Sequence, residues 1–396
     1  MNRHVRYASK PVWHDATLVT HASCLILLAG LTAADDPPLA KICPHLSRLA
    51  TVGATGSWQA APSVVAAIRK ILFPDGSEKP FPWGYLTALG AGIAPDPEQT
   101  WALMDLAHLR QQRDRLLFLT HDLCHVAPEE RAQLLESMHL PLYESGWQRH
   151  PLADPAYPVL ISARRSWHVS SMHWEQLDHR SFFDLQPTGP DALELLALIT
   201  HGQMVLARHL LNRQRQQTGK PALNTPWIWG VGTGKAWKTD REVTSGWGVA
   251  TRTDWVGVAM AAGFTTVAWP AVPTGADFAS TLAHWSTADP GPGLVMVHTP
   301  QVLWRQGKKA ERLAWLQAWD REFLSPLTRL LARSHGTLSV IGDHADPGDE
   351  KGVVWVTAQG RALTARRWFW QPMRPVGAET TGSSMDEEAL RRIWLA

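Results

Sequence analysis

Short apolar runs alternate with segments of helical periodicity along most of this 396-residue chain, and this alternation limits the possible folds most strongly. The apolar runs have the length of single strands, whereas the segments between them repeat their apolar residues every three or four positions. Strands that alternate with helices predict a mainly parallel sheet covered by helices on both faces. The sequence therefore predicts an α/β fold.

The chain also divides by composition. The predicted strands are 25–28, 116–119, 159–161, 225–232, 265–269, 294–298, 337–341, 353–356 and 367–370. The predicted helices are 64–72, a segment beginning at Pro128, 192–217, 255–262, 276–285 and 308–333. The stretch 83–190 is richer in prolines and loop residues. We therefore expect an inserted α+β subdomain at 83–190, with residues 1–82 and 191–396 forming a discontinuous core domain.

Composition and charge exclude several classes of protein. A chain that is 45% hydrophobic and 19% charged is typical of a folded domain, and a net charge of +2 is too small to indicate nucleic acid or an anionic membrane. The longest apolar run, 24–31, is too short to span a bilayer. Cys24, Cys43 and Cys124 are scattered and form neither a disulfide framework nor a zinc motif. This favours a reducing compartment, and we predict a cytoplasmic location.

The segment SVIGDHADPGDE, residues 339–350, places Asp343 and His344 at the end of an apolar strand. A carboxylate beside an imidazole at the carboxyl end of a strand is a common arrangement for binding a divalent metal. Two ligands do not complete such a site. Any remaining ligands must come from other strand ends.

Residues 209–234, HLLNRQRQQTGKPALNTPWIWGVGTG, resemble a segment of the archaeal-type cofactor-independent phosphoglycerate mutases of the alkaline phosphatase superfamily. A related bacterial group, named for the regulation of pathogenicity factors, shares this segment. Further similar segments follow the family's order and spacing: CLILLAGLTAADDPPLAKICPHLSRLATVG, SGWGVATRTDWVGVAMAAGFTTVAWPAVPTGADF, LVMVHTP and SVIGDHADP. The resemblance covers nearly the whole chain, is weakest in 95–190, and implies an alkaline-phosphatase-like core.

The resemblance also implies a catalytic centre of two divalent metals (manganese, zinc or magnesium) bridged by a nucleophilic serine. That serine corresponds to Ser63, for which an ordinary helix N-cap is the alternative role. The first metal-binding aspartate corresponds to Ala29, which has no ligating atom. The aspartate and histidine expected after the strand 294–298 correspond to Gln301 and Arg305, and a guanidinium cannot lose a proton to bind a metal.

Asp343 and His344 match the family's Asp-His pair and are the predicted metal ligands of an incomplete site, since the next expected histidine has no counterpart. Asp35 and Asp36 follow Ala29 closely, but we expect them in a solvated loop. An inward Arg305 would fill the vacated metal volume or bind a phosphate. The family geometry would place further anion contacts in the same cleft: Asn212, Arg213, Arg215 and Lys220.

We therefore expect a phosphoglycerate-mutase-like protein that has lost its two-metal centre, holds no cofactor, and acts in binding or regulation. The expected partners are a phosphorylated small molecule or another protein, and neither nucleic acid nor a membrane. The alternative is an active phosphoglycerate mutase or phosphatase with a rearranged metal site that uses Ser63. A third hypothesis, an aromatic module for nucleic acid or sugar chains, rests only on the 21 tryptophans, most of which we expect to serve packing.

The segment THDLCHV offers a separate set of possible zinc ligands, His121, Asp122, Cys124 and His125. These residues lie where a predicted strand exits into a loop. A strand exit does not bring His121 and His125 onto one helical face, so zinc is disfavoured here.

Overall fold

The computed structural model describes residues 23–32, 36–52, 54–58, 64–73, 80–121, 123–154, 157–235, 237, 246–287, 293–298, 308–333, 336–344 and 353–359. The strands are β1 (Ser23–Thr32), β2 (Ala54–Trp58), β3 (Thr100–Gln112), β4 (Arg115–Thr120), β5 (Trp147–His150), β6 (Val159–Ala163), β7 (Thr225–Gly232), β8 (Trp247–Ala250), β9 (Thr265–Ala268), β10 (Gly293–His298), β11 (Thr337–His344) and β12 (Val353–Gln359).

The helices are α1 (Leu39–Ile42), α2 (Pro44–Val52), α3 (Val64–Leu72), α4 (Trp83–Gly90), α5 (Pro128–Glu136), α6 (His139–Glu144), α7 (Ala192–Arg208), α8 (Leu210–Gln217), α9 (Thr253–Ala261), α10 (Gly275–Thr287), α11 (Lys309–Trp319) and α12 (Ser325–Arg333). A π-helical turn, Asp320–Leu324, joins α11 to α12. The predicted strand 367–370 lies outside the described residues.

The larger of two sheets has the strand order β2-β12-β11-β1-β10-β8-β9. The pairs among β11, β1, β10, β8 and β9 are parallel, whereas β12 and β2 join one side in antiparallel orientation. β1 lies inside the sheet, and α3 packs on it and on β11. Strands covered on both faces need continuous apolar sequence, which is why Cys24–Leu28 is fully buried. The predicted α/β class with a mainly parallel sheet is confirmed.

The second sheet has the order β4-β3-β6-β5, and β7 pairs with the other side of β3. All of its pairs are antiparallel. β7 pairs along β3 from Ala107–Thr225 to Trp101–Gly232, so this sheet takes strands from both sides of the predicted boundary at residue 190. β3 was not predicted, because Asp105 and the polar run at the end of the strand interrupt its apolar pattern.

Helix α4 links the two sheets. It packs on β3 and β7 and also closely on α9, which in turn packs on β8 and β9. A Cβ atom at Gly257 would lie 1.7 Å from the carbonyl oxygen of Leu86, and one at Gly90 would lie 1.9 Å from that of Thr253. The two helices therefore approach at a distance that only glycine permits.

The predicted helix 192–217 is divided at His209, which adopts an extended conformation (φ −67°, ψ 131°) between α7 and α8. The Nδ1 atom of His209 accepts the backbone N–H of Leu211 at 3.3 Å and so caps α8. This side-chain cap satisfies a backbone donor that the interrupted helix leaves open.

Tryptophan serves mainly the interior, as the sequence analysis expects. The buried tryptophans among the described residues are Trp83, Trp101, Trp147, Trp167, Trp174, Trp227, Trp229, Trp237, Trp255, Trp269, Trp285, Trp315 and Trp319. The three cysteines are buried and unbridged. Within the described ranges, no helix has the length and apolar character needed to cross a membrane.

Candidate functional site

The carboxyl-terminal edge of the larger sheet is where the sequence predicts the site. β1 lies between β10 and β11, and since all three strands run parallel, their carboxyl ends meet at one edge. The register pairs Ala29 with His298 at the end of β10, and Thr32 with His344 at the end of β11. The structure therefore brings Asp343 and His344 to the same edge as His298.

β1 is irregular at this edge. Leu28 pairs with Gly342 and Thr32 pairs with His344, so residues 29–31 of β1 lie opposite the single residue Asp343 of β11. Irregularities of this kind are common beside functional sites, because they change the direction of the strand. The register thus places Ala29 between the ends of β10 and β11, where it supplies no ligating atom.

The carboxylate of Asp36 does not replace the missing ligand. It is buried in an ion pair with the guanidinium of Arg312 on α11, and Nζ of Lys309 lies 4.0 Å from its Oδ1 atom. Two cations therefore balance this carboxylate, which holds the segment after β1 against α11. The expectation of a solvated loop is wrong for Asp36, because Arg312 compensates the cost of burying its charge.

A cation at this edge was missed by the sequence analysis. β8 pairs with β10 up to Ala250, and the N–H of Thr251 donates to the carbonyl of Met296 at 3.2 Å, so Arg252 follows at the same edge. Arg252 donates to both carboxylate oxygens of Asp254, at 3.0 and 2.6 Å. The polar run Thr-Arg-Thr-Asp directly after a strand was the signal that would have indicated it.

Arg252 and Asp254 differ in their exposure to solvent. The side chain of Asp254 is 1% exposed and that of Arg252 is 23% exposed, so the guanidinium is the member that meets solvent. The N–H of Asp254 donates to the phenol oxygen of Tyr157 at 3.3 Å, and its Oδ1 atom accepts the N–H of Trp255 at 2.9 Å. Burial, reinforced by the nearby Asp254 carboxylate, strongly raises the pKa of Tyr157, which therefore stays neutral. These contacts fix the orientation of Arg252.

Asn212 and Arg215 belong to the unit built on the second sheet, and both side chains are buried. Asn212 donates to the carbonyls of Leu206 and Leu223 at 2.9 and 2.8 Å, and accepts the N–H of Leu223 at 3.0 Å. Arg215 donates to Glu130 at 2.5 Å and to the carbonyl of Cys124 at 2.8 Å. The polar atoms of both side chains thus form hydrogen bonds with other groups of the protein, and these bonds hold the loop between α8 and β7.

Arg213 and Lys220, the other two predicted anion contacts, are exposed. Ser63, Gln301 and Arg305 lie outside the described residues. For Asp343 and His344 the structure gives the strand register described above. The anion-binding, nucleophilic and metal-binding roles of all these residues therefore stay predictions.

The alternative zinc ligands make other contacts. Nδ1 of His121 lies 3.5 Å from Oδ1 of Asp105, and the buried thiol of Cys124 approaches the carbonyl of Leu119 at 3.8 Å. Asp122 lies outside the described residues. Within the parts of the chain that the structure describes, no three His, Cys, Asp or Glu side chains are grouped to hold a metal ion.

No protein-family model matches this chain. A 2,3-bisphosphoglycerate-independent phosphoglycerate mutase from Methanosarcina acetivorans is 26% identical over 176 residues, which span 41% of this chain and 43% of that relative. Among solved structures, the PH0037 protein from Pyrococcus horikoshii has a TM-score of 0.56 at 18% identity and covers 87% of this chain and 88% of its own. A cofactor-independent phosphoglycerate mutase from Thermoplasma acidophilum has a TM-score of 0.45 at 17% identity and covers 85% and 89%.

The match to the Methanosarcina enzyme spans less than half of either protein. The Pyrococcus protein shares the fold over most of its length. The sequence motifs and the partial match to the Methanosarcina enzyme indicate a distant similarity to cofactor-independent phosphoglycerate mutases. The Pyrococcus structure supports the α/β fold alone.

Proposed function

We propose that this chain is a phosphoglycerate-mutase-like protein that has lost the two-metal catalytic centre and acts in binding or regulation. The strand register carries this proposal, because it sets Ala29 between His298 and Asp343 at the carboxyl edge of the larger sheet. A two-metal site needs charged or imidazole ligands from several strand ends. Ala29, at the end of β1, offers none.

Arg305 supports the same conclusion through its charge. It aligns with a metal-binding histidine of the family, and its guanidinium remains protonated. At about 4 Å and an effective dielectric near 20, a cation and a divalent ion repel each other by roughly 8 kcal/mol. A guanidinium directed at the metal position would therefore prevent binding there.

A phosphorylated small molecule is the ligand that we propose for this edge. Arg252 supports this class of ligand, because Asp254 fixes its guanidinium while leaving part of it open to solvent. Guanidinium groups bind phosphate oxygens through paired N–H donors. An inward Arg305 would add a second positive charge.

Metal content and mutase activity, measured on the same sample, test the loss of the centre. The full chain is incubated with manganese, passed through a desalting column and analysed by mass spectrometry of the elements. We expect well below one ion per chain, and a conversion of 3-phosphoglycerate no faster than with heat-denatured protein. About two ions per chain, with turnover that needs the metal and disappears in Ser63→Ala, would instead establish the active enzyme.

Calorimetric titration with 3-phosphoglycerate, and with glycerate for comparison, tests the ligand class. We expect binding of the phosphorylated compound and at least a tenfold weaker affinity in Arg252→Gln, because a charge-assisted contact is lost. Arg149→Gln is the matched control, since Arg149 is 26% exposed and pairs with Glu136 at 2.7 Å in the second sheet. Equal affinities in the two variants, or no binding by the parent chain, would reject this ligand class.

A further inference from the structure

A pocket of about 380 Å³ lies on the second sheet, and none of its described lining residues belongs to the edge described above. Its walls come from the start of α4, the segments 169–173 and 184–188, and the end of β7. Ligand pockets have volumes of about 300–1,000 Å³, so this one suits a small molecule.

Aromatic rings form one wall of the pocket. The rings of Phe81 and Trp83 are 4.9 Å apart, and the ring of His173 meets that of Trp83 edge-on at 5.5 Å. Phe81 and Trp83 are largely buried, so they present a limited apolar surface. This wall suits the C–H face of a small ring.

The position of this wall depends on Gly230. This residue has φ +62°, and a Cβ atom there would lie 2.5 Å from the Cβ atom of Trp83. A side chain at this position would push β7 away from the start of α4. Gly230 therefore sets the spacing between two walls of the pocket.

Backbone hydrogen bonds hold the opposite rim. Ser170 and Thr188 exchange two of them, at 2.8 and 2.9 Å. The hydroxyl of Ser171 donates to the carbonyl of Ile228 on β7 at 2.7 Å. These hydrogen bonds fix the rim against the sheet in the absence of a ligand. Binding therefore costs little backbone conformational entropy at the rim.

Polar but mostly uncharged groups surround the opening. Gln176, Asp184, Gln186 and Thr188 are exposed there, and no lysine or arginine occurs among the described residues of the lining. Asp184 is a strong acceptor, whereas the amides and the hydroxyl both donate and accept. This set repels phosphate and complements a ligand with several hydroxyl groups.

We propose that this pocket binds a neutral polyhydroxylated ligand of about the size of one sugar ring. The C–H face of the ring packs against the wall of Trp83, and its hydroxyls donate to Asp184 and exchange hydrogen bonds with the amides of Gln176 and Gln186. A cationic amine offers only donors, so the amide N–H groups of Gln176 and Gln186 would lose water without gaining an acceptor, which disfavours binding.

Saturation-transfer NMR on the full chain tests this proposal. The probes are glucose, N-acetylglucosamine and myo-inositol, with glucose 6-phosphate and adenosine for comparison, all at millimolar concentration. We expect transfer to at least one neutral polyol and weaker transfer to the phosphorylated sugar. Glucose 6-phosphate is measured with the Arg252→Gln variant, so that binding at the edge of the larger sheet does not contribute. Asp184→Asn should weaken the affinity for that polyol about tenfold, because a charged acceptor is lost.

Asp114→Asn is the matched control, since Asp114 is an exposed carboxylate at the β3–β4 turn and does not line the pocket. Its affinity should equal that of the parent chain, and circular dichroism verifies that both variants are folded. Three results would overturn the proposal: no transfer to any neutral polyol, binding of adenosine or glucose 6-phosphate instead, or equal affinities in the two variants.

Discussion

The two sheets differ in the kind of side chain that their central strands bury. In the larger sheet, β1 buries an unbroken apolar run, Cys24–Leu28. In the second sheet, β3 buries Asp105 at its centre, paired with Arg131 from α5. An apolar strand is recognisable from its own residues, whereas a charged strand residue is stable only through partners elsewhere in the chain. The second sheet therefore depends on charged residues buried within the sheet itself, whereas the buried ion pair of Asp36 and Arg312 lies beside the larger sheet.

The contacts of Arg131 illustrate this role. Its Nε atom donates to Oδ1 of Asp105 at 3.0 Å, and Nη2 donates to Oδ2 at 2.5 Å and to the carbonyl of Tyr157 at 3.0 Å. The phenol of Tyr157 reaches Asp254 at the start of α9. A chain of polar contacts thus connects the second sheet to the edge of the larger one.

The largest effect is expected for Arg131→Ala, which leaves the carboxylate of Asp105 buried without its cation. Losing one partner of a buried pair costs about 3–5 kcal/mol of unfolding free energy. Chemical denaturation measures this loss, and hydrogen exchange should place it in β3 before β1. The double variant Asp105→Leu with Arg131→Met should recover most of the stability, because no charge is then stranded. Equal increases in the hydrogen exchange of β1 and β3 would contradict this difference between the two sheets.

A smaller effect is expected for Asn212→Ala, which removes the amide that holds the loop between α8 and β7. Three hydrogen bonds are lost, so we expect a loss of about 2 kcal/mol in the free energy of unfolding. Arg213→Ala, at the adjacent exposed position, should change the unfolding free energy by less than about 0.5 kcal/mol. Similar losses in both variants would show that the hydrogen bonds of Asn212 do not stabilise this loop.

A buried carboxylate also stabilises the elements around the larger sheet. Asp320, in the π-helical turn, is buried and accepts the N–H groups of His45 and Leu46 at 2.9 Å, at the start of α2. Asp320→Asn keeps one acceptor oxygen, so we expect a loss of about 1 kcal/mol in thermal unfolding. Glu322→Gln, at a partly exposed residue of the same turn, serves as the control. A loss of unfolding free energy as large as that in Arg131→Ala would show that both sheets depend equally on buried carboxylates.

The smallest effect concerns pH. Burial lowers the pKa of His108 and His150, both on the second sheet, below their ordinary 6.5. As the pH falls below 6.5, these two imidazoles bind protons in the unfolded chain more readily than in the folded chain, so the free energy of unfolding decreases. Denaturation near neutral pH and about one unit below 6.5 measures this slope. His150→Gln should reduce it, and an unchanged slope would contradict the assignment.

Burial raises the pKa of Asp320, so its contribution to stability has the opposite sign. That contribution is present at low pH and is lost as the pH rises through the folded pKa. The two regions should therefore respond to acid in opposite directions.

The candidate edge was predictable in part. Asp343 and His344 were placed at the end of β11 because an apolar run preceded them, and the register bears this placement out. Arg252 was missed, because the short strand β8 before it was not predicted and the polar run Thr-Arg-Thr-Asp was therefore not recognised as a strand end. The anion role expected of Asn212 and Arg215 came from a resemblance and stays a prediction. The pairing of Arg215 with Glu130 joins residues that are remote in sequence, so no local pattern indicates it.

The α/β class and most strands of the larger sheet follow from local sequence, because a strand buried on both faces must be apolar throughout. The pairing of β7 with β3, the ion pair of Asp36 with Arg312, and the position of Ala29 between His298 and Asp343 emerge only when the chain is folded. Each of these facts concerns residues that are remote in sequence. The energy of such a contact depends on which groups the fold brings together, and no local pattern encodes it.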